Sequence, residues 1–408
     1  MNHRVVVTGA AGVCPLGESW AEARDSLASL ENRVRHVDAL EDYNGLNTKL
    51  ASLVTDFTPP ARFDAEAMPA MGRVAQLAVA ATEKALNDAG LSDDPVLTGG
   101  HTGVAYGSCT GSTAKVCELV DAIRGKPHPP LDRADYVRHL SHTAAVNITT
   151  YFGLKGRLIP TPSACTAGSQ SIGYACEAIR TGRQTVMLAG GAEEFCASEA
   201  AVFDVLYATS TANAAPGSTP RPFDRDRDGL VIGEGAGTLV LENRDHALAR
   251  GAPILCEVVG FGTNADGAHV TRPNRVTMAR ALQQALDDAR LSGTDIGYVN
   301  AHGTATEHGD IAESNATAEV LGRAVPISSL KSYIGHTLGA CGALEAWMVI
   351  NMMRDNWYAP TVNLDHVDER CGDLDYLRDA PRILDNEFVM SNNFAFGGIN
   401  TSVVFRRA

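Results

Sequence analysis

Three side chains in this 408-residue sequence have the type and setting of a nucleophile with acid–base partners: Cys165, His302 and His336. Cys165 lies in TPSACTAGSQSIGYACEAIR (161–180), where a proline-containing approach gives way to the small residues Thr166, Ala167, Gly168 and Ser169. Ile172, Ala175, Cys176 and Ile179 then follow at the i, i+3, i+4, i+7 spacing of a packed helix. The cysteine is thus expected at a strand-to-helix turn. Free N–H groups and the helix dipole there favour thiolate, and the small neighbours leave room for an acyl group. The chain has nine cysteines, and most free cysteines are simply small buried hydrophobes, so the turn alone also suits a core residue.

His302 stands in AHGTATEHGD (301–310), just after the strand-like Tyr298–Val299–Asn300, at the carboxyl end where α/β proteins place ligands. Lys331 and His336 lie in LKSYIGHTLGACGALEA (330–346), in a loop entering a helix. A single histidine after a strand is more often structural than catalytic. Two such histidines, each flanked by glycine at a strand end, together with a helix-start cysteine, are much less easily dismissed as structural. Glu345 falls in an otherwise apolar helix, where an unpaired carboxylate is costly, so Lys331 is its expected partner.

The elements that must hold these groups alternate between strand and helix. Val5–Thr8, 102–106, 158–161, 185–189 and 238–242 read as strands of a first half, the first ending in Gly9, Gly12 and Gly17. A long helix runs from Val74 to Ala89–Gly90, where the glycine suits a left-handed cap. The second series has strands at 254–261, 297–301 and 325–329, helices at 276–290, 310–322 and 338–353, and a hairpin-like pair near 388–406. Each half contains a strand, a glycine-rich turn and a small-residue helix, which suggests a duplication with its boundary near residue 250. At 45% hydrophobic and 20% charged residues, the chain is ample for two domain-sized units.

A formal charge of −14 argues against binding nucleic acid or an anionic membrane over the whole surface. The cysteines are odd in number and dispersed, without a CxxC pair, which fits a reduced, cytoplasmic setting. The opening MNHRVVVTGAAG lacks a signal-peptide layout, and no apolar run approaches the ~18 residues of a membrane span.

These segments together resemble a β-ketoacyl-acyl carrier protein synthase, a condensing enzyme of the thiolase superfamily. The resemblance rests on SACTAG, AHGTAT, LKSYIGHTLGACGALEA, SNNFAFGGIN (391–400), RPFDRDRDGLVIGEGAG (221–237) and the opening VVVTGAAGVCPLG. It implies an α/β, five-layered αβαβα fold of two similar halves, 1–250 carrying the cysteine and 251–408 the histidines. It also implies a dimer, either of two identical chains or with a chain-length-factor-like paralogue. The expected partner is acyl carrier protein, whose phosphopantetheine carries the substrates, and no metal or further cofactor is implied.

By the same resemblance Cys165 takes the acyl group, and the N–H groups of Cys165 and Phe396 form the oxyanion hole, Phe396 also acting as a gate. His302 and His336 stabilise the enolate left when malonyl thioester loses CO2, and Lys331 supports them with Glu345 as its structural partner. Thr304 and Thr306 match pantetheine-binding hydroxyls, although they also read as ordinary turn residues. Thr110, in GSCTGS, matches a position lining the acyl pocket.

Some positions depart from the family pattern. Glu307 replaces a proline, Ala395 replaces a glycine beside the gate, and Thr110 is polar where a plain saturated chain would pass. MPAMGRVAQ offers only Arg73 as a basic residue for carrier docking, with Arg62 nearby, which points to a specialised polyene or polyketide pathway beside housekeeping fatty acid synthesis. A catalytically silent chain-length-factor-like subunit is the competing reading, and Cys165 with both histidines argues against it. The thiolase branch is a further rival. TGAAG and the Tyr151/Lys155 spacing hint at a nicotinamide reductase, but Val13 and Pro15 break the fingerprint. A metal hydrolase built on His302, His308 and His336 lacks a carboxylate at ligand spacing.

Overall fold

Nine consecutive buried residues, Val5–Val13, form strand β1, so the strand runs straight through glycines that the sequence suggested as its end. The reason is packing. A Cβ on Gly9 would lie 2.1 Å from the Ala85 carbonyl oxygen, and one on Gly12 would lie 2.3 Å from the Trp347 ring. Here the glycines admit helices against the strand instead of turning the chain. This is seen in a computed structural model that describes residues 3–408 except 65, 67, 114, 115 and 133.

Four more strands complete the first half's share of the main sheet: β2 (Thr102–Gly107), β3 (Leu158–Pro160), β4 (Val186–Glu193) and β5 (Gly235–Asn243). Their order is β3-β2-β4-β5-β1, parallel from β3 to β4 and antiparallel from β4 to β1. The second half contributes β6 (Cys256–Ala265), β7 (Ile296–Asn300), β8 (Pro326–Ser328), β9 (Asp375–Tyr376), β10 (Phe388–Ala395) and β11 (Ile399–Arg407). Its order β8-β7-β10-β11-β6 repeats the first half pair for pair, with β9 added outside β8. The halves join into one sheet of eleven strands through two β1–β6 pairs, Val6 with Glu257 and Val7 with Cys256.

Six helices set the layers. On one outer face, α1 (Arg73–Ala89) covers β1, β4 and β5, and α2 (Thr143–Phe152) covers β2 and β3. α3 (Ala167–Arg180) packs on strands of both halves. On the other outer face, α4 (Arg275–Ala289) covers β6 and β11 and is flanked by α5 (Glu307–Leu321). α6 (Cys341–Asp355) lies beside α3 and, like it, touches strands of both halves. The result is the five-layered αβαβα arrangement.

α6 is buried at every position from Cys341 to Met353, as a helix apolar on all sides must be. Its closeness to α3 comes from small residues. A Cβ on Gly168 would meet the Ala343 nitrogen at 2.6 Å, and one on Gly342 would meet the Ser169 nitrogen at 2.6 Å. The starts of the two central helices therefore touch, which brings residues 165 and 336 together. α1 ends as expected, with Gly90 at φ 66°. Among the described residues no helix is long and apolar enough to cross a membrane.

Candidate active site

Cys165 sits in a one-turn 3-10 segment, Ala164–Thr166, that leads into α3. Ala164 holds φ 52°, a left-handed conformation that costs a non-glycine residue and makes the turn sharp. Side chains lock it. Thr166 Oγ1 donates to the Ser163 carbonyl at 2.7 Å, and Thr161 Oγ1 meets Ser171 Oγ at 2.6 Å. Cys341 Sγ, at the head of α6, lies 3.1 Å from the Cys165 carbonyl oxygen and ties the two helix starts together.

His336 precedes the turn Leu338–Ala340. Its N–H donates to the Val231 carbonyl at 2.7 Å, and Gly335 before it takes φ 66°, where a Cβ would meet that same oxygen at 2.6 Å. The ring is fixed from below: Nδ1 accepts the Leu338 N–H at 3.2 Å. The single proton of the neutral ring therefore resides on Nε2, which faces Cys165 Sγ at 3.0 Å. His302 follows β7. Its N–H and that of Gly303 each donate to a different oxygen of Glu313 at 2.7 Å. Its ring stands edge-on to His336, centroids 5.1 Å apart at 87°, and its Nδ1 has no partner. Cys165 Sγ and one nitrogen of each histidine all lie within 4.8 Å of one another.

Lys331 and Glu345 form the expected pair, Nζ donating to Oε1, with both side chains almost wholly enclosed. Glu345 Oε2 also accepts from Asn393 Nδ2 at 2.8 Å and Asn300 Nδ2 at 3.3 Å. Burial works against the Lys331 ammonium, but Glu345 and Cys341 hold it above the ordinary lysine range. Burial, reinforced by Lys331, drives both histidines well below their ordinary 6.5, so both are neutral donors.

The cysteine differs from the sequence expectation. Burial pushes its thiol up to about 11, while Lys331 and the N–H groups of Phe396 and of Cys165 itself pull the other way. Desolvation outweighs the short helix start, so the resting sulfur is a thiol and not a dipole-made thiolate.

A cavity of about 560 Å³ opens from this cluster to the surface, lined by Cys165, His302, His336, Thr304, Thr306 and Phe396 among others. Thr304 and Thr306 face each other, Oγ1 to Oγ1, at 2.9 Å. Phe396 stacks on Phe203 at 4.9 Å. Ala395 ends β10 without strain, because the positive φ angles fall on Gly397 and Gly398. Glu307 opens α5 and pairs with Arg370 at 2.7 Å. Thr110 does not line the cavity; its Oγ1 donates to Glu199 Oε1 at 2.9 Å. Arg73 is turned to Glu234, and Arg62, although exposed, lies over Tyr151 and donates to its carbonyl at 2.9 Å.

Cys165, His302 and His336 also have the mutual spacing of metal ligands. A ligating histidine turns its other ring nitrogen to an acceptor, whereas His336 Nδ1 receives an amide N–H, which leaves Nε2 protonated and unable to ligate. The set fits proton donation to an anion, not metal binding.

Sequence reasoning missed Glu313, Glu193, Asn300 and the Leu338 N–H. Glu193, an acid ending an apolar strand, carried a signal like that of Glu345 in its apolar helix, and it accepts from Ser108, Cys109 and Gly339. Burial pushes Glu313 up to about 8 against the N–H groups of Gly303 and His302, but nothing in its sequence surroundings announces this.

Comparison with known proteins agrees with the geometry. Family models for the β-ketoacyl synthase N-terminal and C-terminal domains match residues 2–247 and 255–365. The chain is 36% identical over 417 residues to 3-oxoacyl-[acyl-carrier-protein] synthase 2 of Vibrio harveyi, covering 100% of this chain and 99% of that protein. It is 54% identical to a β-ketoacyl synthase structure from Burkholderia phymatum STM815, with a TM-score of 0.97 and complete coverage of both chains. A type II polyketide synthase structure, AntDE:AntF, described as an acyl carrier protein in complex with its ketosynthase, is 29% identical with a TM-score of 0.89, again covering both chains fully. The chain belongs to the β-ketoacyl synthase family, the condensing acyltransferases of fatty acid and polyketide synthesis.

Proposed function

We propose that Cys165 is the acyl carrier of a two-step condensation whose donors are His302, His336 and two backbone N–H groups. The observation that carries this is the 3.0 Å approach of the His336 Nε2–H to Cys165 Sγ, beside the N–H groups of Cys165 and Phe396. In the first step the sulfur attacks the carbonyl of an acyl group on acyl carrier protein. The oxyanion rests on the two N–H groups, and the thiol proton leaves with the released pantetheine thiol.

Malonyl thioester then enters the cavity with its pantetheine arm along Thr304 and Thr306. Breaking its C–CO2 bond leaves an electron pair on the thioester enolate, whose oxygen is met by ring N–H groups of His302 and His336. The enolate carbon attacks the acyl carbonyl on Cys165, a carbon–carbon bond forms, and the sulfur departs and takes up a proton. The product is a β-ketoacyl chain two carbons longer. Lys331 acts at a distance: it keeps both histidines neutral and makes the sulfur easier to ionise. No step calls on a metal or redox group.

The partner is acyl carrier protein, a reading supported by the carrier complex of the polyketide relative. The cavity mouth offers the carrier further contacts, among them Tyr207, which is 89% exposed. We further propose a dimer, of two copies or with a chain-length-factor-like paralogue, working in the cytoplasm; the outermost strand of the first half, β3, has a free edge for such pairing. Intact-mass measurement after incubation with acyl-carrier substrate tests the core of the scheme. Wild type gains one acyl group, Cys165→Ala gains none, and later addition of malonyl-carrier discharges the adduct as the longer β-ketoacyl product. Equal acylation of Cys165→Ala would remove the sulfur from the mechanism.

A further inference from the structure

One buried acid takes no part in those steps. Glu199, in the first turn of the helix Ala197–Asp204, is 5% exposed. Its Oε1 accepts from Thr110 at 2.9 Å, while Oε2 is buried with no partner. Protein interiors seldom leave a polar atom unpaired, so this oxygen calls for a partner that the folded chain does not supply. Burial, and after it the charge of Glu193, push Glu199 well above the usual carboxylate range. That shift favours the protonated carboxyl, which has one O–H to donate and lone pairs to accept.

Its position connects it to the sulfur. Thr110 follows Cys109, whose side chain packs with Phe396 on a small apolar cluster of Ala200, Phe203, Ile232 and Leu338. Glu193 Oε2 accepts both the Cys109 N–H (2.7 Å) and the Gly339 N–H (3.1 Å), joining this wall to the turn after His336. Cys109 lies within interaction range of both Cys165 and Glu199. Neither Thr110 nor Glu199 lines the mouth cavity. Thr110 and Glu199 border the apolar cluster that holds Phe203 and Phe396, because their chain neighbours Cys109 and Ala200 belong to it.

We propose that Glu199, oriented by Thr110, is a specificity-determining residue that selects acyl chains bearing a hydrogen-bonding oxygen, a hydroxyl or a carbonyl, over plain hydrocarbon chains of equal length. This rests on the acyl-enzyme reading above. A plain chain seals Oε2 away from water with nothing to bond, whereas a chain oxygen in reach completes the set. Sites built to hydrogen-bond a substrate oxygen discriminate strongly against the analogue that lacks it.

The test uses pantetheine thioesters in matched pairs, a plain acyl chain and the same chain with one hydroxyl, the hydroxyl being moved carbon by carbon. The acylation rate of Cys165 is read by intact mass. For at least one hydroxyl position, wild type acylates with the hydroxy chain about ten- to a hundredfold faster than with the plain one. Glu199→Gln, which keeps a donor and an acceptor, retains the preference, and Glu199→Leu brings the ratio to one or inverts it. Should Glu199→Leu fail to fold, Thr110→Val, which frees the carboxyl from its orienting partner, lowers the ratio in a milder background. A ratio untouched by these changes, or slower hydroxy chains at every position, overturns the assignment. Acylation by neither chain type would instead overturn the acyl-enzyme reading on which it stands.

Discussion

Replacing Glu345 by Gln tests what holds the charge at the centre of the site. Gln keeps an oxygen for Asn393 and Asn300 but removes the negative partner of Lys331, whose side chain is 1% exposed. Breaking one side of a buried pair costs roughly 3–5 kcal/mol, against about 5–15 kcal/mol of total stability. The ammonium has one escape, which is to lose its proton. From an ordinary lysine near 10.4, that loss costs about 4.6 kcal/mol at pH 7 and about 1.9 kcal/mol at pH 9, at ~1.36 kcal/mol per unit. The unfolded variant keeps the proton that the folded one sheds, so its stability rises with pH.

Urea unfolding of Glu345→Gln should therefore show a loss of about 4 kcal/mol at pH 7 that shrinks to about 2 kcal/mol at pH 9, whereas Lys331→Met/Glu345→Gln, lacking the cation, should lose less at pH 7 and show no such slope. Acylation slows as well, because the neutral lysine no longer favours the Cys165 thiolate. A pH-independent loss below ~1 kcal/mol would refute the reasoning, since it would mean that the ammonium does not depend on Glu345.

Alkylation of Cys165 by iodoacetamide should rise with pH toward an inflection near 11, because only the thiolate reacts; an inflection below 8 would restore the dipole-activated thiolate. His302→Ala should depress CO2 release from malonyl thioester far more than acylation of Cys165, whereas His336→Ala should depress both, because His336 also touches the sulfur; equal loss of both half-reactions in His302→Ala would assign it a structural role. Phe396→Ala should speed acylation by bulky chains relative to acetyl by opening the stack on Phe203, with a stability loss below the roughly 3–5 kcal/mol of a fully buried Phe; an unchanged ratio would remove Phe396 as a gate.

The parts of the site legible in the sequence were those whose function imposes a local pattern. Cys165 needed small residues at a helix start, and His302 and His336 needed glycine-flanked turns at strand ends, so each left its mark within ten residues. Glu345 was legible for the opposite reason, as a charge where burial forbids one. What stayed hidden depends on contacts across the fold. The Leu338 N–H that fixes the His336 tautomer is a backbone group, and Glu313 reaches back to His302 from the next helix. The ionisation of Cys165 is not legible in its own turn because desolvation depends on everything packed around the sulfur, and here it outweighs the opposing pull of Lys331. The early end given to β1 failed similarly: Gly9 and Gly12 serve Ala85 and Trp347, far away in sequence.

The two central helices have a consequence for how the molecule comes apart. Along its length α6 leans on β1, β4 and β5 of the first half and on β10 and β11 of the second, and α3 is shared in the same way. Neither repeat can shed its neighbour without stripping both inner helices of one wall. A scanning calorimeter should record a single cooperative melting endotherm, even though the two halves repeat one strand order.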